Sequence, residues 1–316
     1  MMLALARKLR QKGVLGINQR NAHFTLWYNK RKFYPLVDDK LLTKELALKA
    51  GINVPELYTV VELAGQVREL HGLLERHEDF VVKPAHGSGG EGILVITGRA
   101  SGRYRTAGGQ LLDSDDVNHH LFNLLSGLYS LGGQTDKAIV EYRVKVAPVF
   151  EAISYQGVPD IRIIVFLGVP VMAMVRLPTR MSQGKANLHQ GAIGAGVDIA
   201  TGRTLTAVWR NDIVTEHPDT NQGVAGVMIP GWRGLLELAA SACDLTGLGY
   251  VGVDIVLDKT KGPMILEMNA RPGLNIQIAN RAGLLTRLEK VKQHVSGLGG
   301  LGERISFAQE RFAADI

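Results

Sequence analysis

The stretch GYVGVDIVLDKTKGPMILEMNARPG, from Gly249 to Gly273, decides the reading of this chain. Two β-rich runs, VGVDIVL and MILEMN, flank the turn-forming segment from Asp258 to Pro263, which predicts a β-hairpin. A turn centred between Thr260 and Lys261 sets Asp254 opposite Glu267. Residues two apart share a strand face, which adds Asn269 beside Glu267. Opposed carboxylates repel each other and are best tolerated around a cation. Asp, Glu and Asn make a hard-oxygen set suited to Mg2+, which commonly takes one or two carboxylates plus the phosphates of a nucleotide. A surface hairpin with scattered charges is the competing reading, and the rest of the chain weighs against it.

The chain has 316 residues, 46% of them hydrophobic, enough for a substantial core in one or two domains. Its net charge of +6 and pI near 9.4 fit an anionic or nucleotide substrate. No basic block dominates, so no nucleic-acid partner is expected. The densest stretch, Arg20 to Lys32, is broken by Phe24, Trp27 and Tyr28 and reads as a solvated strand pair. The single cysteine, Cys243, excludes an internal disulfide, suits a reducing, cytoplasmic setting and reads as a packing residue. No apolar run reaches membrane-spanning length. The opening MMLALARKLRQKGVLG lacks the long apolar region of a signal peptide and reads as a packed helix.

Outward from the hairpin, HFTLWYN and KFYPLV read as a short hairpin, and Leu41 to Ala50 as a helix stopped by Gly51. A strand, INVPELYTV, precedes a polar helix near residues 64–76. Residues 114–131 read as a helix opened by Ser114 and acidic residues, with Gly132-Gly133 as the internal boundary. AIVEYRV, IRIIVFL and VMAMVRL read as strands, and residues 180–230 as Gly-rich, substrate-facing loops. Helices are expected at 233–245 and 277–295, followed by a glycine-rich spacer and a short amphipathic piece. His119 and His120 diverge by about 100° on their helix, too far for a joint metal site.

The segment DFVVKPAHGSGGEGILVITG holds a formal G-x-G-x-x-G between Gly87 and Gly92. A dinucleotide site needs a helix starting in that loop, but ILVITG predicts a strand. No Lys-Ser/Thr pair follows, which excludes a Walker loop. Strand, glycine loop and strand make a flap whose N–H groups can close over phosphates, with Lys83 beside them.

Together these pieces resemble an ATP-grasp ligase, and within that superfamily the RimK-type alpha-L-glutamate ligases and their related proteins. The resemblance covers residues 38 to 278. It rests in order on DDKLLTKELALKAGINVP, FVVKPAHGSGGEGI, IVEYRV, DIRIIVFLGVPVMAMVRL, KANLHQGA, GVDIVL and ILEMNARPGL. It implies an α+β fold whose two α/β subdomains clamp ATP, spanning 38–135 with the flap and 136–295 with the metal hairpin. A short region, 1–37, would stand where the family usually carries a pre-ATP-grasp domain, and 296–316 would form a tail. The resemblance further implies that Lys40 and Lys83 contact phosphates, with Gly87, Ser88, Gly89, Gly90 and Gly92 as the lid. Glu141, Tyr142 and Val144 would lie at adenine and ribose, and Asp160, Lys185 and Asn187 at further nucleotide positions. Asp254, Glu267 and Asn269 would hold Mg2+, with Mn2+ as an alternative. Arg162, Arg176 and Arg271 would bind carboxylate and acyl-phosphate oxygens.

The implied reaction joins an amino acid such as L-glutamate to a peptide or small-molecule carboxylate. ATP first converts that carboxylate to an acyl phosphate, and positioning and charge neutralisation supply most of the catalysis. The short N-terminal region leaves the substrate wall to residues 15–37, to a partner or to a second subunit. A kinase acting on a small molecule and a non-catalytic nucleotide-binding protein are the alternatives.

Overall fold

A computed structural model describes residues 2–87, 89–130, 133–210 and 212–314, and for residues 2–6 the backbone alone. Two antiparallel sheets organise them. The first contains β1 (Leu57–Val61), β2 (Phe80–Pro84), β3 (Leu94–Ala100), β4 (Arg103–Thr106), β5 (Leu111–Leu112) and β6 (Ala138–Glu141). Its spatial order is β1-β6-β2-β3-β4-β5. The second contains β7 (Asp160–Phe166), β8 (Val169–Leu177), β9 (Ile193–Val197), β10 (Thr204–Trp209), β11 (Asp212–Val214), β12 (Tyr250–Asp258) and β13 (Gly262–Asn269). Its order is β11-β10-β9-β8-β7-β12-β13. Strand β6, read from sequence with the second half, is bound into the first sheet between β1 and β2.

Each sheet has its own core. The helices Val67–Leu74 and Ser114–Leu125 bury Val67, Leu70, Leu74, Val117, Leu121 and Leu124, the i, i+3, i+4, i+7 pattern of one helical face, against Phe80, Val82 and Ile96. On the second sheet, Trp232–Thr246, Leu284–His294 and Leu301–Arg311 cover the strands. A small third cluster of Val144, Val256 and Met264, flanked by Tyr142, Val158 and Leu266, joins the two.

The hairpin pairs Asp254 with Glu267 as expected, by a different route. Pairing from Asp258↔Gly262 to Ile255↔Ile265 centres the turn on Thr260, and one extra residue, Leu266, bulges before the next pair. The bulge restores the opposition of the two carboxylates.

Four expectations are corrected. HFTLWYN and KFYPLV are helical: Ile17–Gln19, a π-helical Arg20–Thr25, Leu26–Tyr28, Arg31–Phe33 and Pro35–Asp38. Tertiary packing overrides the β-prone composition here. Phe24 and Tyr28, four apart, both meet Phe166 edge-on at 5.5 and 4.8 Å, whereas Trp27 points to solvent. Residues 180–230 contain β9, β10 and β11 rather than loops alone. Gly194 and Gly196 hid the strand pattern, and close packing requires them: a Cβ on Gly196 would lie 2.6 Å from the carbonyl oxygen of Ala279. The expected 277–295 helix is two, Ile276–Ala279 and Leu284–His294. The 114–131 helix ends at Leu125 because Gly127 takes φ +86 against the backbone of Gln134, and its N-cap is Asp113. Leu131 and Gly132 lie outside the described residues.

Candidate nucleotide site

The N-terminus of the Lys40–Lys49 helix sets the first phosphate-binding candidate. Asp39 caps it, accepting from the N–H groups of Leu41 and Leu42 at 2.8 and 3.3 Å. Lys40 follows and donates from Nζ to the carbonyl of Gly87 at 2.5 Å, tying the helix to the flap base. One turn on, Lys44 faces the same way. It is buried, bonds the carbonyl of Pro55, and lies 2.9 Å from Oε2 of Glu141. Lys83 reaches Oε1 of that carboxylate at 2.5 Å. Three ammonium groups thus gather near one acid.

Burial lowers the Lys40 pKa, with the charge of Lys83 adding, while Glu267 across the cleft opposes. Burial likewise lowers Lys44 against the pull of Glu141. For Glu141, burial opposes ionisation, yet Lys83 and Lys44 hold it below the usual carboxylate range. The Lys40–Lys49 helix packs against β13, which brings Lys40 within the electrostatic reach of Glu267. The Glu141 side chain clamps the two lysines. The N–H of Tyr142 is committed to the carbonyl of Glu56 at 2.8 Å, and its hydroxyl donates to Asp258 at 3.0 Å. Val144 is buried in the small cluster with Val256 and Met264.

The flap docks on the second half. The carbonyl of Gly89 accepts from Asn187 Nδ2 at 2.9 Å and Gln190 Nε2 at 3.2 Å, and Gly90 lies against the stem of Lys185. Gly92 packs on Tyr129, and its carbonyl lies 3.0 Å from Nε2 of His120. Burial lowers the His120 pKa. Ser88 lies outside the described residues.

Strands β7, β8 and β12 carry four buried or nearly buried charges. Arg162 stands opposite Asp254 and donates to both its oxygens, from Nε at 2.7 Å and Nη2 at 2.6 Å. Arg176 stands opposite Asp160, holds both its oxygens at 2.5 Å, and reaches Asp254 at 2.7 Å. Burial opposes ionisation of Asp254, but Arg162 and Arg176 keep its carboxyl below the ordinary range. Burial, reinforced by Asp254, pushes Asp160 up to about 6 against Arg176. Burial works against charge on Arg176 too, yet Asp160 and Asp254 raise its pKa.

In this ladder Asp160 is the partner of Arg176, and the Asp254 carboxylate is bonded to two guanidinium groups. Among the described residues no group of three His, Cys, Asp or Glu side chains is placed to hold a metal. Among those residues the Glu267 carboxylate has no protein hydrogen bond, and Asn269 Oδ1 accepts only the N–H of Arg271 at 2.9 Å. These two oxygen donors suit Mg2+ that takes its remaining ligands from phosphates and water. Arg271 stands apart from the other two arginines, exposed, stacked over Tyr34 at 5.3 Å and 3.9 Å from Asp38.

Sequence reasoning missed Lys44, although its i+4 spacing from Lys40 was a usable signal. It also missed the flap contact of His120 and the role of Arg20. That guanidinium is buried and donates to the carbonyl of Pro272 at 2.8 Å, fixing the N-terminal helices to the hairpin exit. Only tertiary contact reveals such partners.

No curated protein matches the sequence. Among solved structures, the chain is similar to the ATP-grasp ligase PsnB complexed with minimal precursor, at 16% identity and TM-score 0.44, over 85% of this chain and 63% of that one. It is similar to D-cycloserine synthetase DcsG at 17% identity and TM-score 0.47, over 82% and 71% of the two chains. It is also similar to D-alanine–D-alanine ligase from Bacillus anthracis, at 14% identity and TM-score 0.43, over 88% and 69%. The chain thus spans less than two thirds of the length of PsnB. A family model described as sugar-transfer associated ATP-grasp matches residues 19–293, and includes the helical segment ahead of Lys40. The ATP-grasp resemblance holds, while the matching model is not the RimK-type branch. With its two antiparallel sheets in this strand order, the chain has the ATP-grasp fold and belongs to the sugar-transfer associated ATP-grasp family.

Proposed function

We propose that this protein is an ATP-dependent carboxylate–amine ligase that forms an amide through an acyl phosphate. The observation that carries the reading is the convergence of Lys40, Lys44 and Lys83 under a glycine flap, facing Glu267 on the opposite sheet. Three cations with one buried acid between them leave positive charge for a polyphosphate, and backbone N–H groups of the flap add donors. Lys83 and Lys44 are pre-oriented by Glu141, and the flap's contacts with Asn187 and Gln190 close the space against water. Mg2+, with Glu267 and Asn269 among its ligands, supplies charge neutralisation on the phosphates when bound; Mn2+ satisfies the same donors. Arg176, fixed on the ladder, and Arg271, exposed at the hairpin exit, are the positive groups assigned to carboxylate and acyl-phosphate oxygens.

The two ATP-clamping halves, read as 38–135 and 136–295, are part of this proposal. So are an amino acid such as L-glutamate as amine donor, as in the RimK-type reading, a peptide or small-molecule carboxylate as acceptor, and a cytoplasmic setting. Among the described residues no helix is long and apolar enough to cross a membrane. The test is incubation with Mg-ATP and a panel of amino acids and short acidic peptides, following ADP and product masses. ADP and an amide product should form only when carboxylate and amine are both present. Lys83→Ala should reduce ADP release at least about 100-fold, since one electrostatic donor in a preorganised site contributes roughly that much. ADP formed at wild-type rate by that variant removes the phosphate assignment.

A further inference from the structure

Residues 17–38 form one wall of a cleft of about 740 Å3 beside the flap base, with Thr25, Tyr34, Asp38, Asp39, His86 and Arg271 among its lining residues. His86 enters it just beyond β2, with one ring nitrogen already fixed. Its Nδ1 lies 2.8 Å from Oδ1 of Asp136, and its backbone N–H donates to both oxygens of that carboxylate at 3.2 and 3.1 Å. Asp136 is buried and also receives the hydroxyl of Ser130 at 2.5 Å and the N–H of Lys137 at 2.7 Å. Burial opposes its charge, but these donors hold the carboxyl below the usual range.

An ionised carboxylate only accepts, so Nδ1 carries the hydrogen that is donated to Asp136, and it is the Nε2 edge, facing Asp39 and the cleft, that can exchange a proton. That Nε2 is 3.5 Å from Oδ2 of Asp39, and the His86 side chain is 43% exposed to the cleft. A buried acid orienting an imidazole whose far nitrogen is accessible is the arrangement used to accept a proton from a nucleophile. Neither the lysine cluster nor the arginine ladder uses it.

We propose that this cleft takes the amine substrate and that His86 is the group that accepts its proton, an assignment that rests on the ligase reading above. Asp39 attracts the ammonium form, and Arg31 together with Arg271, itself 3.9 Å from Asp38, offers countercharge for an amino-acid carboxylate. The ammonium gives one proton to Nε2, and the resulting imidazolium stands between Asp136 and Asp39. The freed nitrogen lone pair forms the C–N bond, and the C–O bond to phosphate breaks with its electron pair leaving on phosphate. The second nitrogen proton goes to that phosphate, and His86 returns its proton to solvent through its exposed edge. Amide, hydrogen phosphate and one proton balance the ammonium and acyl phosphate consumed.

The test uses the full chain, Mg-ATP, the panel of amino acids and acidic peptides, and hydroxylamine, a nucleophile that is neutral at pH 7 and needs no base. The wild type is expected to give hydroxamate with hydroxylamine and amide with a panel amine. His86→Asn, whose side-chain amide can still bond Asp136, is expected to lose about 100-fold in kcat with the amine, KM changing by less than about two-fold. Its hydroxamate formation persists, which also shows that it folds and activates the carboxylate. Loss of both products together, loss of neither, or a rise in KM at unchanged kcat would overturn the assignment. If the wild type gives no hydroxamate with any carboxylate, the ligase reading itself fails, and this assignment with it.

Discussion

Asp254 shows how one side chain can satisfy a sequence pattern and serve another purpose. Its position opposite Glu267 marked it for a cation, and the cations it meets are Arg162 and Arg176. Removing one partner from a buried ion-pair network leaves its neighbours uncompensated and costs about 3–5 kcal/mol. Asp254→Asn should therefore lower the denaturant midpoint markedly with no nucleotide or metal present. A midpoint equal to wild type in metal-free buffer would show that the arginine pairs of Asp254 contribute nothing to folding. Asp258, at the hairpin turn, makes a separate pH prediction. Burial opposes its ionisation, but the N–H groups of Lys145, Lys261 and Thr260 hold its pKa to about 2, below an ordinary 3.8. An acid with a depressed native pKa contributes stability that is complete above its unfolded value and disappears as pH falls through the native one. Asp258→Asn should lessen the loss of unfolding free energy between about pH 4 and pH 2, measured by urea titration at several pH values. An unchanged acid limb would show that the carboxylate is not held this way.

At the scale of elements, the flap and the helices ahead of Lys40 are the informative pieces. The flap was legible because only glycine tolerates its geometry: Gly89, Gly90 and Gly92 all take positive φ, from +67 to +79. Gly92 is the most constrained, since a Cβ there would lie 2.5 Å from the ring of Tyr129. Gly92→Ala should displace the flap, raising KM for ATP at least about ten-fold while the melting temperature falls by only a few degrees, because strain of about 1–3 kcal/mol is confined to a loop. An unaltered KM would show that flap position is irrelevant to nucleotide binding. The helices at 17–38 were misread because their aromatic residues favour strands locally. Their helical form depends on Phe166 and Tyr250, which come from distant strands.

At the scale of the whole molecule, those helices are fastened to the hairpin as well as packed on it. Asn29 donates to the carbonyls of Tyr250 and Ala270 at 2.7 and 2.9 Å and accepts from the N–H of Tyr250 at 2.9 Å. With Arg20 on Pro272, they position the cleft wall against Arg271. Phe24 is the fully buried anchor, and Phe24→Ala should cost about 3–5 kcal/mol through lost burial and a residual cavity. Urea unfolding checks the stability, and KM for the amine should rise more than KM for ATP because the wall borders the proposed amine cleft. Equal effects on both would argue that the segment is a general support.

The sequence by itself determined the metal-hairpin segment as paired strands and the glycine flap, while the ATP-grasp fold was legible through the resemblance carried by its ordered motifs. These are carried by local signals: alternation, turn chemistry and residues whose backbone freedom or charge is expensive to place elsewhere. Tertiary structure alone decided which charges became partners. Asp254 went to arginines one and two strands across, Glu141 to two lysines, and His86 to Asp136, fifty residues on. Pairing of that kind depends on through-space distance and on loss of water around each group, and neither quantity is written in the order of residues along a chain.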